Sequence, residues 1–265
     1  MKRVKKIVLL SIAIYFISIM LLYFLQKNLV FQATALKSDY VFKFNQPFEE
    51  HFMHTEDGET LNVLWFKPNG KSKGLIIYFH GNRDNLQRWG NYAVDFTKLD
   101  YEVLMVDYRS YGKSTGQPNE ENLYKDAALI IDWAKKKTEH KKLIIYGRSL
   151  GAAIATQASI KTQPNLLILE TPFDEIKSAI WVVFKPVTSI FPLRYNFPTK
   201  DFIVQVKSKK IIFHGTNDRI VSLKAALRLK PLLKKNDEFI VIPQGTHRNL
   251  SSFKQYKTKL AEVLN

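Results

Sequence analysis

Residues 144–153, IIYGRSLGAA, decide how the chain is read: an apolar β-branched run passes through Gly147-Arg148-Ser149-Leu150-Gly151 into small residues. The pattern G-x-S-x-G is weak alone, because at average glycine and serine usage it arises by chance in roughly one chain in ten of this length. Context gives it weight. A buried strand before it and a helix after it would set the serine on a sharp, strained turn with its Oγ exposed above a sheet. Residues 142–146 read as that strand and residues 150–160 as that helix. Gly147 and Gly151 have a mechanical reason, since a side chain at either position would crowd the neighbouring strand or the tight turn. Ser149 is therefore a candidate nucleophile, and its partners must lie elsewhere in the chain.

Outward from this stretch, strands alternate with helices. Residues 50–54 and 61–66 read as two opening strands joined by the turn-forming Glu56-Asp57-Gly58. Strands follow at 75–79, 102–107, 142–146, 166–169, 210–213 and 238–242, with helices at 85–99, 120–137, 150–160, 223–233 and from about 249. In the 120–137 helix Leu123, Ala127, Ile130, Ile131 and Ala134 recur on one face. Near-continuous apolar strands alternating with helices predict an α/β fold, a mostly parallel sheet covered on both faces, with the opening antiparallel strands at one edge. No repeat or low-complexity segment interrupts it.

In such a sheet ligands sit beyond the carboxyl ends of the strands, and those positions carry chemistry. His80-Gly81-Asn82 follows the 75–79 strand, "DYRSYGKSTG" the next, Ser149 the next, "HGTNDRI" the 210–213 strand and "PQGTHRNL" the last. A serine hydroxyl needs a neutral imidazole within reach and an acid to orient it. The chain order this sheet supports is serine, acid, histidine. His51, His54, His80 and His140 precede Ser149, His214 lies in the strand before the acid, and His247 alone follows every acid candidate. Asp218 is the first candidate acid, although an aspartate in such a turn commonly caps the next helix. Asp174, after the preceding strand, competes. The oxyanion hole needs backbone N–H donors: Leu150, immediately after the serine, and Asn82 in the loop after His80.

With "YFHGN", "DYRSYGKSTG", "GRSLG", "HGTND" and "GTH" in order and at compatible spacing, residues 48–263 resemble the α/β-hydrolase superfamily, and most nearly its small-lid, membrane-associated serine hydrolases. The resemblance implies an eight-stranded α/β-hydrolase fold, the triad Ser149, Asp218 and His247, amide donors at Asn82 and Leu150, and a mainly structural loop at Asp107, Tyr108 and Arg109. It leaves the substrate open, because the superfamily holds esterases, lipases, thioesterases, peptidases and inactive members.

Residues 171–208 form the candidate short lid. Trp181, Phe184, Phe191, Tyr195 and Phe197 there read either as core packing of short helices or as the cover of an apolar acyl pocket.

The chain has 265 residues, 46% of them apolar, enough for one sizeable domain. It has no cysteine, which excludes disulfides, thiolate catalysis and cysteine-ligated metal. The formal charge of +16 is not one basic arm, since only Lys2, Arg3, Lys5, Lys6 and Lys27 fall in the first 27 residues. A lysine-rich soluble surface accounts for it most simply, and attraction to an anionic membrane is the sharper reading. No stacking platform or groove-reading motif accompanies the charge, so no nucleic-acid partner is expected.

Residues 7–25 carry no charge and only Ser11 and Ser18 as polar members. As a helix this run measures roughly 28 Å, enough to cross a bilayer. It is longer than the apolar region of a cleaved signal peptide. Residues 1–27 thus read as an uncleaved anchor, 28–47 as a juxtamembrane connector and 48–265 as the hydrolase domain. The four cations before the span predict a cytoplasmic N-terminus and a domain on the opposite side, periplasmic or extracellular in a bacterium. The expectation is a membrane-anchored serine hydrolase that cleaves carboxylic esters or thioesters through an acyl-enzyme, with no metal or organic cofactor. Alternatives are a peptidase, an acyltransferase, or a silent binding protein on the same fold.

Overall fold

A computed structural model of the chain describes residues 2–138, 142–179 and 193–265. Eight strands form the main sheet: β1 (Phe48–His54), β2 (Thr60–Phe66), β3 (Gly74–Phe79), β4 (Tyr101–Val106), β5 (Leu143–Arg148), β6 (Leu166–Glu170), β7 (Lys209–Gly215) and β8 (Glu238–Ile242). Their spatial order is β1-β2-β4-β3-β5-β6-β7-β8. The β1/β2 and β2/β4 pairs are antiparallel and every other neighbour is parallel, so the sheet is mostly parallel with its antiparallel strands at one edge, as the sequence predicts.

The two-residue period of a strand splits each apolar run between two cores. In β3, Leu75, Ile77 and Phe79 face one core, and Ile76 and Tyr78 face the other. The first core is covered by α2 (Glu120–Lys137) and α3 (Leu150–Thr162), the second by the helical residues 86–97 and by α4 (Lys254–Leu264). The α2 helix begins where Asn119 accepts a hydrogen bond from the Asn122 N–H at 2.8 Å, and ends in Lys135, Lys136 and Lys137, matching the helix dipole at both ends.

Two predicted helices are shorter than their sequence pattern. The 85–99 segment is two single turns, Leu86–Trp89 and Val94–Thr97, joined by the 3₁₀ turn Gly90–Ala93. The ring of Phe44 lies where a Gly90 side chain would be. The 223–233 segment is helical only over Leu223–Leu227, then turns 3₁₀ over Lys230–Leu232. Pro231 has no N–H to continue the ladder, and its ring opposes the carbonyl four residues back.

The N-terminal helix α1 runs Lys2–Val30, longer than the uncharged segment that signals it. It is long and apolar enough to cross a membrane, and Ile7, Leu9, Leu10, Phe16, Ile17 and Phe24 on it are exposed. The Ser18 hydroxyl donates to the Ile14 carbonyl at 2.8 Å, so this polar group is satisfied without water.

The chain after α1 is not a free tether. Val30, Phe31 and Phe42 are buried, Phe31 meets Tyr195 edge-on with centroids 5.0 Å apart, and Phe44 meets Phe66 at 5.1 Å. Of the candidate lid aromatics, Trp181, Phe184 and Phe191 lie outside the described residues. Tyr195 and Phe197 are buried in the core against Phe31, and Glu120 accepts from the Asn196 and Phe197 N–H groups at 2.6 and 2.8 Å. For these two residues the packing reading holds.

Candidate active site

The strand ends predicted to carry chemistry meet at one cleft. Ser149 joins β5 to α3 with φ 54° and ψ −116°, a conformation that is uncommon for a side-chain-bearing residue and costs about 1–3 kcal/mol. Packing enforces it. A Cβ on Gly151 would lie 2.1 Å from the Phe79 carbonyl oxygen, and one on Gly147 would lie 2.3 Å from that of Gly151. The helix therefore presses directly onto the end of β3, and the Ser149 N–H donates to the Glu170 carbonyl at 2.9 Å.

Asp218 and His247 are brought together from β7 and β8. Their supporting turns are bonded to each other, Asn217 N–H to the Gly245 carbonyl at 2.8 Å and Gln244 N–H to Thr216 Oγ1 at 2.8 Å. Asp218 divides its two oxygens. Oδ1 accepts from the N–H groups of Ile220 and Val221, both at 2.9 Å, and Oδ2 accepts from His247 Nδ1 at 2.8 Å. Turn cap and histidine partner are thus one residue with two functions. Burial opposes ionisation of Asp218, but the hydrogen bond and charge of His247 and the Val221 N–H outweigh it and hold the carboxyl below its usual range. Asp174, the competing acid, pairs instead with Arg228 at 2.9 Å.

Ser149 and His247 line the same cleft, of roughly 270 Å³, with Gly81, Asn82 and Trp89. The Ser149 hydroxyl makes no hydrogen bond to the imidazole in this geometry, a contact that commonly tightens only when substrate is bound.

Of the two candidate amide donors, Asn82 lines the cleft and Leu150 directly follows Ser149 in the chain. Leu150 is the first residue of α3, where an N–H has no intrahelical acceptor. The peptide joining Gly81 and Asn82 is clamped on its other edge: the Gly81 carbonyl meets His80 Nδ1 at 2.7 Å. Because the peptide is trans and planar, that grip turns the Asn82 N–H the opposite way. The Asn82 carbonyl accepts from the Gln32 N–H at 2.9 Å and the Tyr111 hydroxyl at 2.7 Å, while Asn82 Nδ2 donates to the Val30 carbonyl at 3.0 Å. A short parallel ladder of Gln32–Ala33 on Arg83–Asp84 extends this seam.

Asp107, Tyr108 and Arg109 brace these loops. The Asp107 carboxylate accepts from the Leu86 N–H at 3.0 and 3.2 Å and lies 3.6 Å from His80 Nε2. The Tyr108 hydroxyl donates to the His80 carbonyl at 2.7 Å. Arg109 pairs with Asp126 on α2 and with Asp57 in the β1–β2 turn.

Three supporting residues escape the sequence reading. Arg148, the variable residue before Ser149, is buried, lies 3.2 Å from Glu170 Oε1, and donates to the His247 carbonyl at 2.9 Å. Glu170 Oε2 in turn accepts from the hydroxyls of Tyr146 and Tyr256. A signal existed in the adjacency of Arg148 to the serine and of Glu170 to a strand end, but their pairing depends on the β5–β6 register. His214 is the third. Its Nε2 lies 3.0 Å from the Val221 carbonyl and 3.5 Å from Asp218 Oδ2, and burial pushes its pKa down.

No group of three or more His, Asp or Glu side chains able to hold a metal occurs among the described residues. The arrangement is suited to nucleophilic attack by Ser149, with a carboxylate-oriented imidazole as candidate base and the Asn82 and Leu150 amides as candidate oxyanion donors.

Comparisons with known proteins bear on the fold that carries this cleft. Residues 70–196 match the family model described as serine aminopeptidase, S33, a span that ends before Asp218 and His247. The chain is 28% identical over 270 residues to protein bem46 of Schizosaccharomyces pombe, covering 96% of this chain and 90% of that one. It is 29% identical over 184 residues to the lysophosphatidylserine lipase ABHD12 of Gallus gallus, covering 60% of this chain and 47% of that protein. An esterase of Pyrococcus furiosus superposes with a TM-score of 0.70 at 18% identity, over 89% of this chain and 97% of that one. Sheet order, strained serine turn, family model and relatives converge, and the chain belongs to the α/β-hydrolase superfamily.

Proposed function

We propose that the chain is a membrane-anchored serine hydrolase that cleaves carboxylic esters of lipid-like acyl chains through an acyl-enzyme. The observation that carries this reading is the strained Ser149, at the N-terminus of α3, sharing a cleft with an Asp218-held His247. His247 takes the Ser149 proton as Oγ attacks the ester carbonyl, and the Asn82 and Leu150 amides stabilise the oxyanion. The same imidazole protonates the departing alkoxide. Water then attacks the acyl-serine by the reverse route and releases the acid. The lipid character rests on α1, whose exposed apolar surface is satisfied in a bilayer, and on relatives that include a lysophospholipid lipase.

Labelling with a fluorophosphonate probe, followed by a panel of p-nitrophenyl esters of increasing acyl length, tests the proposal. Labelling and ester turnover that vanish in Ser149→Ala are expected. Aminoacyl anilides hydrolysed faster than every ester would replace the ester reading with a peptidase.

A further inference from the structure

The cleft beside Ser149 has a charge that ester cleavage alone does not require. Arg83, Arg88, Arg148 and Arg248 line it, and no aspartate or glutamate does. Arg148 is committed to Glu170 and to the His247 carbonyl. Arg88 shares its charge with the half-exposed Asp84 at 3.6 Å. Arg83 uses Nε on the Gln32 side-chain oxygen, and its terminal nitrogens have no hydrogen-bond partner among the described residues. Arg248 has no carboxylate within ion-pair distance among them. Two exposed guanidinium groups thus stand at the mouth of the cleft with donors unspent, Arg83 in the loop after His80 and Arg248 next to His247 in the chain.

We infer that the cleft receives an ester whose alcohol half carries a phosphate, and that Arg83 and Arg248 bind it, with Arg88 in support; this rests on the ester-hydrolase reading above. Guanidinium donors match phosphate oxygens in geometry, and several of them converging from separate loops suit a tetrahedral anion better than a carboxylate, which one arginine can grip in a bidentate pair. Arg248 follows His247, the group that protonates the leaving oxygen, so the anion site lies on the alcohol side of the scissile bond. The reaction remains balanced: Ser149 Oγ bonds to the acyl carbon, the carbon–oxygen bond to the phosphorylated alcohol breaks, and the Ser149 proton leaves on that alcohol through His247. Water restores the serine and releases the acid.

The position of α1 selects a membrane lipid as the source of the phosphate. The uncharged run ends at Leu25, and five further helical residues, about 7.5 Å of rise, reach Val30, whose carbonyl is bonded to Asn82 in the cleft wall. A bilayer-spanning α1 therefore holds the cleft at the depth of lipid headgroups.

The full chain in neutral detergent micelles is given four substrates: long-chain and butyryl monoacylglycerol, and the same two esters bearing a glycerol 3-phosphate. A kcat/KM at least tenfold higher for the phosphorylated member of a pair, shrinking as salt is raised, is expected. A long-chain advantage among the phosphorylated esters identifies a lipid source, and an equal butyryl rate identifies a soluble phosphate ester on the same site. The ratio of phosphorylated to neutral turnover should collapse in Arg83→Gln/Arg248→Gln and be partly restored by Arg248→Lys. Equal turnover of both members of each pair by the wild type overturns the anion site, as does a ratio untouched by the double substitution. Absence of turnover on all four, together with absence of fluorophosphonate labelling, instead sinks the hydrolase reading itself.

Discussion

The carbonyl of Val30, the last residue of the N-terminal helix, accepts a hydrogen bond from the side chain of Asn82 at 3.0 Å. One residue thus joins the membrane-directed helix to the loop proposed to hold the oxyanion. The contact is reinforced by Gln32 on the Asn82 carbonyl and by Phe31 buried against Tyr195 and Phe197.

The seam predicts that the place of truncation matters. Removing residues 1–21 deletes most of the apolar helix but keeps Gln26, whose side chain accepts from the Arg194 N–H at 2.8 Å, and everything after it. This shortened protein should become soluble or peripheral and keep its ester turnover. Removing residues 1–36 deletes Val30 and Gln32, two of the three partners of Asn82, and leaves a void where Phe31 sat, a loss of about 3–5 kcal/mol by analogy with truncated core aromatics. Melting temperature and kcat, measured on both, should separate them by about tenfold or more in kcat. Equal activity and stability would show that residues 22–36 are only a tether.

His80 supplies a second prediction. It stacks on Trp89 and Tyr108, with ring centroids 5.6 and 4.2 Å away, and its Nδ1 meets the Gly81 carbonyl. His80→Phe keeps a ring in the stack and removes the polar grip on Gly81, together with the imidazole nitrogen that faces Asp107. The Asn82 peptide is then free to rotate, so kcat should fall by about 10- to 100-fold with KM little changed, as for weakening one oxyanion donor. A rise in KM at constant kcat would place His80 in substrate binding instead.

Much of this site is legible in the sequence because a parallel sheet puts its chemistry at strand ends. Buried strands leave long apolar runs, so Ser149, Asp218 and His247 stand out as the polar residues that follow them. The supporting contacts are not legible for a matching reason. The pairing of Arg148 with Glu170 follows from the register of adjacent strands, and the ladder between residues 32–33 and 83–84 is too short to leave a periodic pattern. Tyr195 and Phe197 show the limit from the other side: an aromatic cluster has the same composition whether it covers a pocket or fills a core.

The acid gives a prediction with a pH dependence. Asp218→Asn should lower kcat by as much as about 10⁴-fold, through a histidine held in the wrong tautomer, whereas Asp174→Asn should be mild. The carboxyl of Asp218 is depressed in the folded protein. Its contribution to stability is therefore present above the unfolded value, near 3.9, and is lost as pH falls through the folded one. The stability gap between wild type and Asp218→Asn, followed by denaturant melts, should be widest near neutrality and narrow below about pH 4. A gap that grows on acidification would contradict the depressed carboxyl.

The buried pair behind the histidine loop should be costly to break. Glu170→Gln leaves Arg148 charged and uncompensated among Tyr78, Tyr146 and Tyr256, in a region nearly closed to solvent. Breaking a buried pair in this way costs about 3–5 kcal/mol. The Arg148 side chain, which also holds the His247 carbonyl, would then be free to seek water, so kcat should fall together with the melting temperature. Loss of stability with kcat intact would make the network purely structural.

The last prediction concerns the side of the membrane on which the cleft lies. Lys2, Arg3, Lys5 and Lys6 precede the uncharged run of α1, and Lys27 follows that run with its ammonium bound to the Gln117 side chain on the domain. Because short flanking segments rich in Lys and Arg remain cytoplasmic, the N-terminus should stay inside while the domain crosses. The cleft would then meet lipids of the outer face of that membrane. Protease added to intact cells or spheroplasts should digest the domain and leave a small N-terminal fragment containing α1. Digestion that requires a broken membrane would reverse the orientation and place the same cleft against the cytoplasmic leaflet, without altering the assignment of Ser149.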